Sequence, residues 1–229
     1  MEAAKKLILG YCSGNAGYIA PFDSVFDDAI DVTKYSPKGV DAVIFWGGTD
    51  IHPSYYNQAA NIHSQVAFSK SPSHRDEFEW RMMLWCKINR VPMIGICRGA
   101  QLMCAFAGGK LLQHVTGHNS GNHMMVTKEG LIMETTSCHH QMMYPFDVQH
   151  DMIAWSSIKK SLVYQEESEE NNKFMMSAVA REPEIVAFPQ INGLAIQGHP
   201  EWAVGTEYAS YCCELVTNLL INKETEELV

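Results

Sequence analysis

PMIGICRGAQLM, residues Pro92 to Met103, decides how the chain is read, because an apolar strand runs into a cysteine there and a helix begins directly after it. Met93, Ile94 and Ile96 supply the apolar run. Gly95-Ile96-Cys97-Arg98-Gly99 has the G-x-nucleophile-x-G form of a nucleophile elbow, in which small flanking residues let a strand and a helix meet in a tight, strained turn. Such a turn lifts its central side chain above the sheet and sets it at a helix N-terminus, where the dipole and free N–H groups are expected to lower a thiol pKa. Taken without its surroundings, Cys97 reads equally well as a small apolar residue closing a strand, the usual fate of a free cysteine.

Upstream of the elbow the chain repeats strand and helix signals. Leu7 to Tyr11 reads as a first buried strand, Ser13 to Pro21 as a loop of small residues, and Phe22, Phe26, Ile30 and Val32 as one face of a helix. Val40 to Trp46 is a continuous apolar run, suited to a parallel strand covered on both faces, and it ends on Gly47-Gly48. Thr49 to Ser71 lacks periodicity and reads as an ordered loop near the site. Ser73 stands at capping-box spacing from Asp76, and Phe78, Met82, Trp85 and Cys86 follow at helical intervals to a stop near Asn89. With the helix after Cys97 ending at Gly108-Gly109, the order β-α-β-α-β-α predicts an α/β chain with a parallel, doubly wound sheet.

Downstream the elements shorten. Lys110 to Val115, His123 to Lys128, Leu131 to Thr135 and Met152 to Ser157 read as strands with partly antiparallel pairing, and Glu166 to Asn172 as a solvated tip. Glu184 to Phe188 and Leu194 to Gln197 are further strands. A last helix over Gly205 to Asn222 carries Tyr208, Tyr211, Cys212, Leu215, Val216 and Leu219 on one face. No repeat or linker divides the 229 residues, so one domain, 1–229, is expected.

Composition narrows the function classes. A net charge of −9 with only 17 Lys and Arg leaves no basic face for nucleic acid or a membrane surface, which points to a small-molecule substrate. The seven cysteines, at 12, 86, 97, 104, 138, 212 and 213, are odd in number and scattered, which suits the cytoplasm and its reducing conditions. The apolar run near the N-terminus is too short for a signal core, and no run approaches the ~20 residues of a membrane span.

A thiolate that attacks a carbonyl needs a base and a group to orient that base. Gly198-His199-Pro200-Glu201-Trp202 offers both: Pro200 biases His199 to an extended backbone, and Glu201 can accept the far imidazole N–H. The bland alternative is a surface turn. For an oxyanion hole, the backbone N–H groups of Arg98 and of Gly48, in the Gly47-Gly48 strand exit, are natural donors.

At this point the chain resembles the class I glutamine amidotransferase superfamily, and within it the gamma-glutamyl hydrolase-like peptidase branch, which includes gamma-glutamyl-GABA hydrolases. The pieces that carry the resemblance are GGTDIHPSYY at Gly47 to Tyr56, RDEFE at Arg75 to Glu79, GICRGAQLM at Gly95 to Met103 followed by GGKLLQHV, SCHHQ at Ser137 to Gln141, and GHPE at Gly198 to Glu201. They occur in the family's order over about two thirds of the chain. The resemblance implies a flavodoxin-like three-layer α/β/α sandwich, a mostly parallel central sheet with a few extra antiparallel strands, and a Cys97, His199, Glu201 triad. It also implies hydrolysis of a gamma-glutamyl amide through a gamma-glutamyl thioester. Gly47 and the loop after Gly48, Gln101, and the segment Ser137, Cys138, His139 and His140 would shape the pocket for the glutamyl α-amino and α-carboxylate groups.

Two departures from the branch stand out: Thr136 where Asn is common, and Gly198 where an aromatic residue usually precedes the base. The second is expected to widen the pocket or loosen His199, and so to change the leaving group. His118, His123, His139 and His140 invite a metal reading, but no carboxylate or cysteine joins them at a recognised spacing, so neither metal nor cofactor is expected. Two other functions stay open. One is a glutaminase subunit that hands ammonia from glutamine to a separate synthetase; the other is a catalytically silent binding protein. A homodimer is compatible with the sequence.

Overall fold

The computed structural model describes residues 6–12, 19–119, 121–167 and 179–226, with side chains of the last helix as far as residue 219. Its centre is a nine-stranded sheet built on the continuous apolar runs of the sequence. In chain order the strands and helices are β1 (Ile8–Cys12), β2 (Asp28–Asp31), β3 (Ala42–Phe45), α1 (His74–Asn89), β4 (Met93–Ile96) and α2 (Arg98–Phe106). Then come β5 (Lys110–Leu112), β6 (His114–Val115), β7 (Asn122–Thr127), β8 (Ile132–Thr136), β9 (Met142–Tyr144), β10 (Asp151–Ser156) and β11 (Tyr164–Gln165). Last are β12 (Pro183–Phe188), β13 (Gly193–Ile196) and α3 (Glu207–Glu226).

The sheet order is β2-β1-β3-β4-β13-β12-β10-β7-β8. The first five strands pair in parallel, and from β13 outward each pairing is antiparallel. The α/β, flavodoxin-like expectation therefore holds, and the antiparallel extension occupies four strands. Two short ribbons, β5 with β9 and β6 with β11, stand apart from the main sheet.

Alternation along the central strands sorts their side chains into two cores. Val43, Phe45 and Met93 face Met82, Met83 and Cys86 of α1 and Leu102 and Met103 of α2. Ile44, Ile94, Ile96 and Leu194 face the other way, against Tyr208, Cys212 and Val216 of α3. Every residue of β3, β4 and β13 is buried, as two-sided coverage of a parallel sheet requires. Each such Ile or Phe contributes about 1.5–3 kcal/mol relative to exposure.

α1 starts as its sequence predicts. Ser73 Oγ accepts the Asp76 N–H at 3.1 Å and the Asp76 carboxylate accepts the Ser73 N–H at 2.9 Å, a complete capping box. Arg90, at φ 55°, ends the helix in the left-handed region.

The N-terminal region departs from expectation. Phe22 to Val32 is not a helix: a single 3-10 turn over Phe22–Ser24 is followed by β2, which runs parallel to β1 with Ile30 opposite Gly10. Asp27 explains the outcome, because its carboxylate accepts the Leu7 N–H at 2.8 Å while its own N–H bonds the Leu7 carbonyl at 2.9 Å, docking the segment on β1. Phe22 and Phe26 still bury themselves, in the core against α3. The spacing marked Phe22, Phe26 and Val32 correctly as buried, Ile30 being half-buried, but the period was wrong. Much of the small-residue loop at 13–18, and residues 168–172 of the acidic run, lie outside the described residues.

The elbow is fixed by contact distance. A Cβ on Gly95 would lie 2.6 Å from the Gly99 carbonyl carbon, and one on Gly99 would overlap the Phe45 carbonyl, whose carbon is 2.6 Å away. Replacing Gly99 by Ala therefore pushes α2 off β3, and we expect a loss of about 3 kcal/mol. A thermal melt should show this as a midpoint lowered by roughly 6–12 °C; an unchanged midpoint would show that the helix moves away freely.

Candidate active site

Three neighbouring strands, β3, β4 and β13, deliver the candidate residues at their carboxyl ends, the edge where open α/β sheets hold ligands. β3 exits through Trp46-Gly47-Gly48, β4 ends at Cys97, and β13 leads through Gln197 and Gly198 to His199.

Cys97 is buried at φ 50°, ψ −104°, a strained conformation for a residue with a Cβ. Its N–H bonds the Ile196 carbonyl at 2.8 Å and its carbonyl receives the Gln101 N–H at 3.0 Å, so β13 and α2 hold it from both sides. The thiol does not follow the expected downward shift. Burial pushes its pKa up to about 12, the Arg98 N–H opposes this, and Glu201, Cys138 and Asp50 add to the rise. Desolvation of the thiolate outweighs one N–H group and a short helix.

His199 lies across the strand exit. Its Nδ1 is 2.7 Å from Glu201 Oε1, which fixes the ring and aims Nε2 away from the carboxylate. The same ring stacks on Trp202 with centroids 3.8 Å apart and planes 4° from parallel. A Cβ on Gly47 would lie 2.8 Å from His199 Cε1 and 3.5 Å from the Cys97 Cβ, so the absent side chain is what lets base and thiol share one space. Gly48, at φ 145°, is bounded by the Arg75 guanidinium, which a Cβ there would strike, and Arg98 Cδ is 3.7 Å from that position.

The Arg98 side chain has a structural task. Fully buried, it pairs with Asp76 through Nη2 at 2.5 Å and with Glu79 through Nη1. Arg75 joins the network, with Nε 2.8 Å from Glu79 Oε1 and Nη2 donating to the Trp46 carbonyl at 2.8 Å. The RDEFE motif thus packs behind the elbow and braces the glycine exit.

Among the remaining expected contacts, Gln101 donates to the Gln141 carbonyl at 3.0 Å, and the Ser137 hydroxyl donates to the His118 carbonyl at 3.0 Å. His139 bonds the Gln141 carbonyl through Nδ1 at 2.8 Å. All three are buried with partners inside the fold, whereas Cys138 is exposed and His140 half-buried. His140 Nε2 is 3.0 Å from Asp50 Oδ1, and Gln141 Nε2 donates to Asp50 Oδ2 at 2.9 Å. Asp50 therefore clamps the loop after the glycines onto the Ser137–Gln141 segment.

Three contributors have no role assigned by the sequence reading. Thr136, the residue in place of the common Asn, accepts the His199 N–H through Oγ1 at 2.6 Å. Trp202 supplies aromatic contact with the base from three positions after it. Asp50 was visible only as part of a motif. Gly198 leaves no widened pocket: a Cβ there would meet Tyr208 Oη at 2.5 Å, Thr135 Oγ1 at 2.7 Å and the Thr136 carbonyl at 2.9 Å, so neighbours fill the space. Beside Trp202 and Cys138 lies a cavity of about 590 Å3, bordered also by Thr135, Glu134 and Glu207.

The sequence profile of Peptidase C26 matches residues 24–201. A Schizosaccharomyces pombe protein with the provisional name of glutamine amidotransferase is 31% identical over 80 residues, 35% of this chain and 30% of its own length. Carbamoyl phosphate synthase small chain of Buchnera aphidicola is 23% identical over 137 residues, 59% of this chain and 30% of its own length. The chain thus aligns with about a third of the length of these curated relatives. Among solved structures, a glutamine amidotransferase from Thermotoga maritima superposes with a TM-score of 0.57 at 12% identity, covering 96% of this chain and 86% of that one. PurLQS from the same organism gives 0.53 at 13%, over 86% and 89%; at such identities the likeness concerns the fold.

Two outcomes follow from the geometry. Arg98→Ala would leave Asp76 and Glu79 short of their buried partner and should cost about 3–5 kcal/mol in a denaturant titration; a loss below 1 kcal/mol would mean that Arg75 and water replace it. Alkylation of Cys97 in the ligand-free protein, followed by peptide mass spectrometry, should be slow at pH 7. Because the folded pKa is raised, the thiolate fraction grows about tenfold per pH unit up to the pKa, and the rate should climb through pH 10 without a plateau.

Proposed function

The chain belongs to the Peptidase C26 family, within the class I glutamine amidotransferase-like superfamily, and from that premise we propose that it is a standalone cysteine hydrolase cleaving gamma-glutamyl amides. The observation that carries the reading is the juxtaposition at Gly47, where the Glu201-oriented ring of His199 and the Cys97 side chain flank one glycine position. The chain acts as one catalytic domain.

In this reading His199 Nε2 takes the Cys97 proton as Sγ attacks the γ-carbonyl carbon, which explains how a thiol of high pKa in the resting site becomes a nucleophile only when an acceptor is in place. The developing oxyanion receives the backbone N–H groups of Gly48 and Arg98. The imidazolium, held by Glu201, returns the proton to the departing amine as the C–N bond breaks, leaving a gamma-glutamyl thioester. Water then attacks the thioester while His199 takes its proton; the C–S bond breaks, glutamate leaves, and the thiol is restored. Cys138 and His140, which keep exposed surface, contact the glutamyl group, while Gly47, Gln101, Ser137 and His139 position the loops that hold it. The cavity beside Trp202 receives the amine. Its two bordering carboxylates, Glu134 and Glu207, with no Lys or Arg among the described lining residues, suit a neutral or cationic amine.

A second reading rests on the match to a carbamoyl phosphate synthase small chain over 59% of the sequence: a glutaminase that passes ammonia to a synthetase partner. Purified protein assayed alone separates the two. Hydrolysis of gamma-glutamyl amides without any partner, abolished by Cys97→Ala and slowed about 100-fold or more in kcat by Glu201→Gln with little change in KM, is the expected result. Turnover of glutamine only after a synthetase is added would replace the hydrolase with the subunit, and full activity in Cys97→Ala would remove the thiol mechanism.

A further inference from the structure

Behind the Ser137–Gln141 segment lies a buried group of titratable side chains that the proposed hydrolysis does not use. His118, His139 and Glu184 each offer a ligand atom, and these atoms all lie within 4.8 Å of one another. All three residues are at least nine-tenths buried, as are Glu182 and His123 beside them. They reach this place from far apart in the chain: His118 from the turn before β7, His139 from the loop after β8, and Glu182 and Glu184 from the start of β12.

Hydrogen bonds around the group leave specific lone pairs unmet. The Gln141 carbonyl can only accept, so His139 Nδ1 donates to it at 2.8 Å, and Nε2 of the neutral ring is a lone pair with no partner. Glu184 Oε1 accepts from His123 Nε2 at 2.7 Å, whereas Oε2 is buried without a partner, and so is His123 Nδ1. Ser137 Oγ, whose own proton goes to the His118 carbonyl, accepts from His118 Nδ1 at 3.2 Å, so Nε2 of that ring is a second lone pair without a hydrogen bond, 3.2 Å from Glu182 Oε2. Orphaned buried acceptors cost about 1–3 kcal/mol each, and more when charged. Among the described residues, neither Glu182 nor Glu184 pairs with a lysine or arginine.

A single ion of charge +2 answers the lone pairs of His118, His139 and Glu184 at once. An imidazole whose far nitrogen is fixed by a hydrogen bond, to a backbone carbonyl in His139 and to a hydroxyl in His118, presents its other nitrogen as metal ligands do. Two such nitrogens with one carboxylate oxygen are a zinc donor set. Tetrahedral zinc places its donors about 3.4 Å apart, so the side chains close by roughly an ångström or so from their present spread. We propose that His118, His139 and Glu184 bind one zinc ion, with the fourth position filled by water, as a buried structural staple. It ties β12 to the loop that carries Cys138 and His140, next to Thr136, which anchors the His199 backbone. The staple does not depend on the hydrolase reading.

The test uses the full chain stripped with EDTA. Zinc added under equilibrium dialysis should bind at one equivalent and raise the melting midpoint by roughly 5–10 °C at 100-fold excess over Kd. Cobalt(II) in its place should give visible d–d bands without near-ultraviolet thiolate charge transfer. Glu184→Gln should weaken binding by at least about 100-fold, while Cys97→Ala/Cys138→Ala leaves it unchanged. Zinc-edge X-ray absorption on the wild-type complex settles the case in which Glu184→Gln does not fold: a first shell of N and O near ~2.0 Å supports the site. Sulfur at ~2.3 Å, no stoichiometric binding, or binding lost only in the cysteine variant overturns it.

Discussion

A guanidinium locked in the protein interior governs the architecture of the site. Arg98 follows Cys97 directly, and its pairing with Asp76 and Glu79 ties the first turn of α2 to the first two turns of α1. Buried ion pairs contribute little net stability, because desolvation offsets attraction, but breaking one is costly and their geometry is demanding. Asp76 also closes the capping box of α1, so the start of one helix and the elbow before the other are set by one carboxylate. Cys97 can then be held in a backbone conformation that it would not adopt alone.

The candidate site stands where two kinds of sheet meet. β3 and β4, in the parallel half, provide the glycine exit and the thiol; β13 is the last parallel strand and the first with an antiparallel neighbour. Its continuation carries His199, and the antiparallel half answers with Thr136, which receives the His199 N–H, and with the Ser137–Gln141 segment clamped by Asp50. Each half alone would leave the imidazole or the thiol unsupported.

Legibility in the sequence followed the range of the interaction. The elbow, the capped helix and the buried strands were readable because glycine spacing, a Ser-x-x-Asp cap and uninterrupted apolar runs act within a few residues of themselves. β2 was misread because Phe22, Phe26 and Ile30 fit a helical period, while the deciding bond, Asp27 to Leu7, joins residues 20 apart. The thiol shift was misjudged because burial is a property of the assembled core. Arg98 could not be assigned until α1 was in place, and Gly198 hinted at open space until Tyr208 and Thr135 were seen to occupy it. The histidines 118 to 140 have no carboxylate beside them at a recognised ligand spacing, and Glu184 arrives only through sheet pairing.

The contact between His199 and Trp202 has an optical consequence. Trp202 is 58% exposed, yet one face of its indole lies flat on the imidazole at 3.8 Å. Protonation of that imidazole turns the stack into a cation–π contact and makes the ring a better electron acceptor from the excited indole. Once the other four of the five tryptophans are replaced by phenylalanine, the emission of Trp202 thereby becomes a built-in gauge of the charge on its neighbour.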